Sequence, residues 1–322
     1  MDNFLTNILP EIAYALCGLV CFNTAYRGLK NEEAKYGTVA FWGLLGIIFM
    51  FGKIIPPLIV GIIIVVMGIL TLTKQVKIGV FADVSQEEKV AQSKRVGNKI
   101  FIPAVAIGLF AFLLSLIKYK GYSAAAKKIT NLSLNGAVLV GGASLIALGL
   151  AIVICRPKVN ETRENTSRLL MQVGASCLLP QLLAALGTVL QKAGVGEVIS
   201  KTILHIIPNP SITVGVIIYV LGMVIFTIIM GNAFSAFTVI TIGIGAPFVI
   251  AKGGNPAIIG ALGMTAGYCG TLLTPMAANF NIVPCAILET KDQKWGMIKT
   301  QWPISLLLIV AHIILMLTIG FN

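Results

Sequence analysis

Charge is scarce in this 322-residue chain: only 11% of its residues are Asp, Glu, Lys or Arg, while 57% are hydrophobic. The mean hydropathy of +0.93 excludes an ordinary water-soluble domain, in which about a quarter of residues are charged. Acidic residues are fewest, 12 against 24 Lys and Arg, but the basic excess sits in loops between apolar segments. It therefore reads as charge that sets membrane topology, and no nucleic-acid partner is implied. Six cysteines (Cys17, Cys21, Cys155, Cys177, Cys269 and Cys285) lack CxxC spacing and histidine partners. They are expected to act as small buried hydrophobes, with no metal site and no disulfide framework. HExxH, P-loop, GxSxG and GxGD patterns are all missing, so the chain is not expected to be an enzyme or to carry an organic cofactor. The opening "MDNFLTNILPEIAYALCGLVCF" has no basic n-region or small-residue cleavage site and reads as a retained first span.

What the chain has instead is a series of apolar windows. They fall near residues 7–26, 37–52, 54–73, 100–117, 132–155, 169–191, 212–250, 253–288 and 303–321. About 20 apolar residues cross a hydrocarbon core of roughly 30 Å as a helix. The expected fold class is all-α: a polytopic transmembrane protein of about eight spans plus a re-entrant hairpin and a broken helix in its second half. Residues 1–160 form an N-terminal bundle of five spans, and 161–322 a C-terminal transport unit with a hairpin over 212–250 and a discontinuous helix over 256–289. With both termini outside, the loops 27–36, 74–99, 156–168 and 290–301 lie inside and hold most of the Lys and Arg. That orientation requires the 212–250 window to enter and leave on the outer side. The 74–99 loop is long enough for an amphipathic surface helix but reads mainly as a solvated connector.

The informative residues are polar ones at depth. Between Lys201 and Glu289 the only charged side chain is Lys252, yet three polar clusters interrupt the apolar run: "GNAFSAFTVIT" (231–241), "KGGNPA" (252–257) and "GTLLTPMAANFN" (270–281). Unsatisfied backbone groups cost several kcal/mol in hydrocarbon, so such breaks are tolerated only where protein or a water-filled cavity covers them. Gly231 and Asn232 suit a hairpin tip; Thr274 and Pro275 suit a helix break, since proline has no amide hydrogen to donate. Two broken helices meeting at the midplane is a binding arrangement of secondary transporters. The residues expected to bind substrate or ion are Asn232, Ser235, Thr238, Thr271, Thr274, Asn279 and Asn281, with Gly231, Gly270 and Pro275 shaping the backbone. Glu11 and Glu197 read as interfacial carboxylates, and His205 and His312 as packed or interfacial residues outside any proton relay. Without an acid in mid-span, sodium is favoured over protons as the coupling ion.

Residues 230–289, "MGNAFSAFTVITIGIGAPFVIAKGGNPAIIGALGMTAGYCGTLLTPMAANFNIVPCAILE", resemble the signature region of a bacterial membrane family numbered 979 among the domains of unknown function. That family is regarded as one subunit of a two-component 5-oxoproline (pyroglutamate) transporter. More distantly, the second half is similar to one repeat of the ion transporter superfamily, which includes dicarboxylate/sodium symporters and gluconate permeases. In the symporters a hairpin tip carries Ser-Asn-Thr and a following break carries Thr-Pro. Here Gly231, Asn232 and Ala233 stand at the first, keeping only the Asn, and Thr274 and Pro275 stand at the second. Those transporters contain two inverted copies of the unit, whereas residues 1–160 contain neither break.

The resemblance implies a subunit of a symport permease in the bacterial inner membrane, completed by a second membrane subunit, with a small carboxylate as substrate and room for a higher oligomer. A non-transporting scaffold or assembly subunit, or a carrier for another small carboxylate, is the alternative.

Overall fold

The structure is a computed structural model that describes residues 8–81, 85–123, 128–206, 210–288 and 290–321. It divides into two compact units, Met1–Met171 and Gln172–Asn322. Among the described residues the regular structure is helical with one departure: β1 (Lys118–Ser123) and β2 (Lys128–Ser133) form an antiparallel hairpin, Lys118 opposite Ser133 and Ser123 opposite Lys128. It falls in the lysine-rich connector between two apolar windows, where the sequence carries no helical periodicity.

The first unit contains α1 (Leu9–Gly28), α2 (Lys35–Phe51), α3 (Pro57–Leu72), α4 (Gln86–Val96), α5 (Phe101–Ser115), α6 (Gly136–Cys155) and most of α7 (Val159–Val173). α1 packs against α2, and α5 against α6. Buried Phe41, Trp42 and Leu45 anchor α2, whereas α3 buries only Met67 and α5 only Ala106. α4 lies in the long polar loop, with the Ser85 hydroxyl accepting from the Glu88 N–H at its N-cap, and it has no buried residue. It matches the surface helix that the loop length allows. The extended stretch before it is held to the α1–α2 turn: the Asn31 amide and Thr38 hydroxyl both donate to the Lys77 carbonyl, each at 3.3 Å. Glu11, near the start of α1, pairs with Lys53 at 3.5 Å, with both side chains partly exposed.

The second unit holds α8 (Leu179–Lys192), α9 (Val195–Ile206), α10 (Ile212–Met230), α11 (Ala233–Ile240), α12 (Ala246–Phe248), α13 (Pro256–Leu272), α14 (Val283–Leu288) and α15 (Gly296–Ile319). A π-helical turn, Thr241–Gly245, joins α11 to α12, and a second, Ala278–Ile282, leads into α14. The 212–250 window is therefore a helical hairpin, α10 being one limb and α11–α12 the other. Ser211 caps the first limb, its hydroxyl accepting from the Val214 N–H. The limbs stay together along their length: Tyr219 Oη lies 2.8 Å from Thr241 Oγ1, and Gly215 lies against the Phe248 carbonyl at the open end. Each limb is long and apolar enough to cross a membrane, as are Gly136–Cys155 and Gly296–Ile319 among the six such stretches of the described residues. α2 and α3, at 17 and 16 residues, reach only about 26 and 24 Å at 1.5 Å per residue.

The core of this unit is built on α10. Val216, Tyr219, Val220 and Met223 are fully buried and meet Ala236, Ile240 and Ile244 from the other limb, Ile259, Ala266 and Cys269 from α13, and Ile309 and Met316 from α15. α13 can approach closely because glycine occupies its α10 face: a Cβ at Gly270 would lie 2.5 Å from the Val224 carbonyl oxygen. Close packing through small residues substitutes for the hydrophobic driving force that lipid cannot supply. α15 runs antiparallel to α13, with the Ser305 hydroxyl donating to the Cys269 carbonyl at 2.7 Å and the Asn255 N–H to the Gly320 carbonyl at 2.8 Å. His312 belongs to this contact, its Nδ1 2.7 Å from the Leu308 carbonyl and its Nε2 2.9 Å from Thr265 Oγ1.

Sequence reasoning missed α9, leaving its residues outside the apolar windows and reading Glu197 as an interfacial carboxylate. The signal was present: Val195, Val198, Ile199, Thr202, Ile203 and Ile206 repeat at helical spacing. The helix docks where Gly196 meets Gly243 of the π-helical turn.

Candidate functional site

Two interruptions of helical structure meet in the second unit. The first is the hairpin tip. Gly231 ends α10 with φ +71°, its N–H donating to the Thr227 carbonyl at 2.7 Å, and only glycine takes that left-handed conformation without cost. A Cβ there would also lie 2.8 Å from the Met276 carbonyl oxygen. The tip is thus seated directly on the second interruption. Asn232 opens the return limb as an N-cap, its Oδ1 accepting from the N–H groups of Phe234 at 2.8 Å and Ser235 at 3.4 Å.

The second interruption follows α13, over residues 273–277. Pro275 provides no N–H, and Thr274 Oγ1 accepts from the Met276 N–H at 3.3 Å. A helix end leaves its last carbonyls without partners, and burial makes that expensive. Asn281 resolves it: its side-chain amide, 1% exposed, donates to the carbonyls of Thr271 at 2.9 Å and Thr274 at 2.7 Å. The residue after the break staples the residues before it. Its Oδ1 and the hydroxyl of fully buried Thr227 have no partner among the described residues. Beyond the break the chain re-enters a helix at Ala278, and the N–H groups of Ala278, Asn279 and Phe280 donate to no backbone carbonyl among the described residues.

A cavity of about 20 Å³ lies where these segments meet, lined by the Gly231–Phe234 tip, Tyr268, Thr271 and the Ala277–Phe280 segment. Its volume suits about one water molecule. Of the residues expected to bind, Asn232, Thr271 and Asn279 line it. Asn279 is exposed, and Thr271 Oγ1 donates to the Tyr268 carbonyl at 2.6 Å. The remaining four lie behind it. The fully buried Ser235 hydroxyl donates to the Leu183 carbonyl of α8, and Thr238 Oγ1 donates to the Ser235 carbonyl at 2.9 Å. Thr274 and Asn281 hold the break itself. Gly231 and Pro275 stand at the two breaks, and Gly270 lies one turn earlier against α10. Lys252 is remote from the cavity: it precedes α13, and its ammonium donates to the Pro210 carbonyl.

The aromatic lining was not among the expected site residues. Phe234 stands edge-on to Tyr268, with ring centroids 6.2 Å apart, and Tyr268 contacts Phe280 at 5.8 Å. In the sequence these three look like ordinary apolar residues of three separate segments. Among the described residues no group of three or more His, Cys, Asp or Glu side chains could hold a metal ion, and no disulfide joins any of the six cysteines.

These features define a polytopic helical membrane protein whose second unit brings a hairpin tip against a broken helix. The chain belongs to a family of proteins of unknown function, DUF979, whose profile matches residues 11–321. No curated protein and no solved structure matches it.

Proposed function

We propose that this chain is a bacterial inner-membrane subunit of a secondary carrier for a small organic anion, with 5-oxoproline as the substrate and sodium as the coupling ion. The observation that carries this reading is the seating of the Gly231–Asn232 tip on the Thr274–Pro275 break inside a stretch, between Lys201 and Glu289, whose only charged side chain is Lys252. Interrupted helices of this kind supply what an anion and a cation each need. Unpaired N–H groups at a half-helix start attract a carboxylate, while carbonyls, hydroxyls and amide oxygens at the opposing ends suit a bare cation. Asn232, Thr271 and Asn279 form the polar wall. Ser235, Thr238, Thr274 and Asn281 hold the backbone that presents it. In this reading the chain performs binding and translocation without covalent chemistry, so it is not an enzyme.

The cavity supports a divided site. A volume of about 20 Å³ admits a water but not a five-membered lactam with a carboxylate, and Asn279, Phe234 and Met276 remain exposed around it. A second membrane subunit, bringing its own interrupted helices, would form the other wall. With the hairpin entering and leaving on the outer side, both termini lie outside and the basic loops inside.

The test is uptake of radiolabelled 5-oxoproline into proteoliposomes under an imposed sodium gradient, with this chain alone and with the membrane protein encoded beside it. Uptake by the pair alone, lost in Asn232→Ala without loss of assembly, is the expected result. No uptake from a folded pair under sodium or proton gradients would refute the substrate assignment.

A further inference from the structure

We infer that Phe234, Tyr268 and Phe280 form a specificity-determining wall that selects a monoanion bearing a compact, largely apolar ring and discriminates against dicarboxylates and polyhydroxy acids. The inference rests on the carrier reading and assigns the side chains that would choose among small anions.

The three aromatics come from different segments: the first turn of α11, the last turns of α13 and the π-helical turn after the break. They nevertheless form one contact chain that lines the same cavity as Asn232, Thr271 and Asn279. Phe234 is 51% exposed and Phe280 36%. The Tyr268 hydroxyl has no hydrogen-bond partner among the described residues, which leaves a donor at the aromatic wall.

The chemistry of this lining excludes more than it admits. An aromatic ring offers apolar area and a weakly positive edge. It satisfies no hydroxyl, so a gluconate-like chain laid against it would leave polar groups unpaired, each at the full cost of its lost hydration. Neutral amides and hydroxyls can hold one carboxylate. A second would need a counter-charge, because removing an unpaired ion from water is costly. The only cation between Lys201 and Glu289 is Lys252, already bonded to Pro210 and separated from the cavity by most of the length of α13. At 17 residues that helix is about 26 Å long.

The test uses the protein purified from its host membrane together with its co-purifying subunit. Tritiated 5-oxoproline binding is measured against unlabelled cyclopentanecarboxylate, acetate, succinate and gluconate, and the same compounds are scored for protection against thermal unfolding. Cyclopentanecarboxylate should displace the label, while succinate and gluconate at about a hundredfold excess should not. Phe280→Ala should weaken both ring ligands about tenfold, equivalent to about 1.4 kcal/mol, and leave protection by acetate unchanged. Circular dichroism and retained co-purification of the second subunit show whether Phe280→Ala is folded. If succinate competes as well as the ring compounds, or if folded Phe280→Ala loses ring ligands and acetate equally or loses neither, the aromatic assignment is wrong and the carrier reading stands. If no carboxylate binds or protects the wild-type assembly, the carrier reading falls and this inference falls with it.

Discussion

Replacing Asn281 with leucine tests whether a side chain holds the helix break. The two side chains have the same number of heavy atoms and both branch at Cγ, so the substitution removes the hydrogen bonds while keeping the branching, and the bulkier methyl groups add an overpacking cost at this buried site. Two donors are lost, at 2.9 Å from the Thr271 carbonyl and 2.7 Å from the Thr274 carbonyl, at a position 1% exposed. Each buried bond contributes about 1 to 1.5 kcal/mol net, and stranding its acceptor adds to that. The loss should be about 3 kcal/mol, less a small gain from removing an amide oxygen that is itself unpartnered. For a unit of this size it corresponds to a fall of roughly 6–12 °C in Tm. Intrinsic tryptophan fluorescence during thermal unfolding in mild detergent measures the shift, with Asn279→Leu, at an exposed position, as the control that should move Tm little. Asn281→Asp should be worse, because it places acceptors opposite two carbonyls. If Asn281→Leu unfolds within a degree of wild type, the backbone holds the break unaided and the staple contributes nothing.

Gly231→Ala places an L side chain at φ +71° and a methyl 2.8 Å from the Met276 carbonyl. It should lower stability by at least about 1–2 kcal/mol in denaturant unfolding, and an unchanged midpoint would show that tip and break are not in contact. Ser235→Ala removes one buried bond to the Leu183 carbonyl and should cost about 1 kcal/mol, read as faster hydrogen exchange in α8 and α11. Lys77 bonds Glu33 and holds that carboxyl below its ordinary value of 4.5. A lowered folded value means that the contribution is present above 4.5 and is lost as pH falls through the lowered value. Exchange in residues 75–80 should therefore rise on acidification below that point in wild type but not in Lys77→Gln.

The membrane character and most element positions were legible because burial in lipid acts on every residue of a span, and hydropathy sums that effect over about 20 positions. The windows at 37–52, 100–117 and 132–155 became α2, α5 and α6. Both interruptions of the second unit were legible as well, since Gly-Asn and Thr-Pro break helices by local sterics whatever surrounds them. α9 was less legible: its apolar residues repeat at helical spacing, but Glu197 and Lys201 interrupt the hydropathy, and only the tertiary structure sets Gly196 against Gly243.

Local backbone chemistry and hydropathy, both properties of short stretches of chain, were enough to state that this protein is a helical membrane protein with two interrupted helices. They could not say which polar groups face the cavity. Ser235 and Asn232 are three residues apart and equally suited to a ligand, yet Ser235 bonds α8 while Asn232 lines the cavity. Asn281 reaches back ten residues to Thr271, and Phe234, Tyr268 and Phe280 become neighbours only when three segments converge. A hydroxyl or amide bonds whatever the packing brings within about 3 Å, so its partner is decided by the tertiary structure.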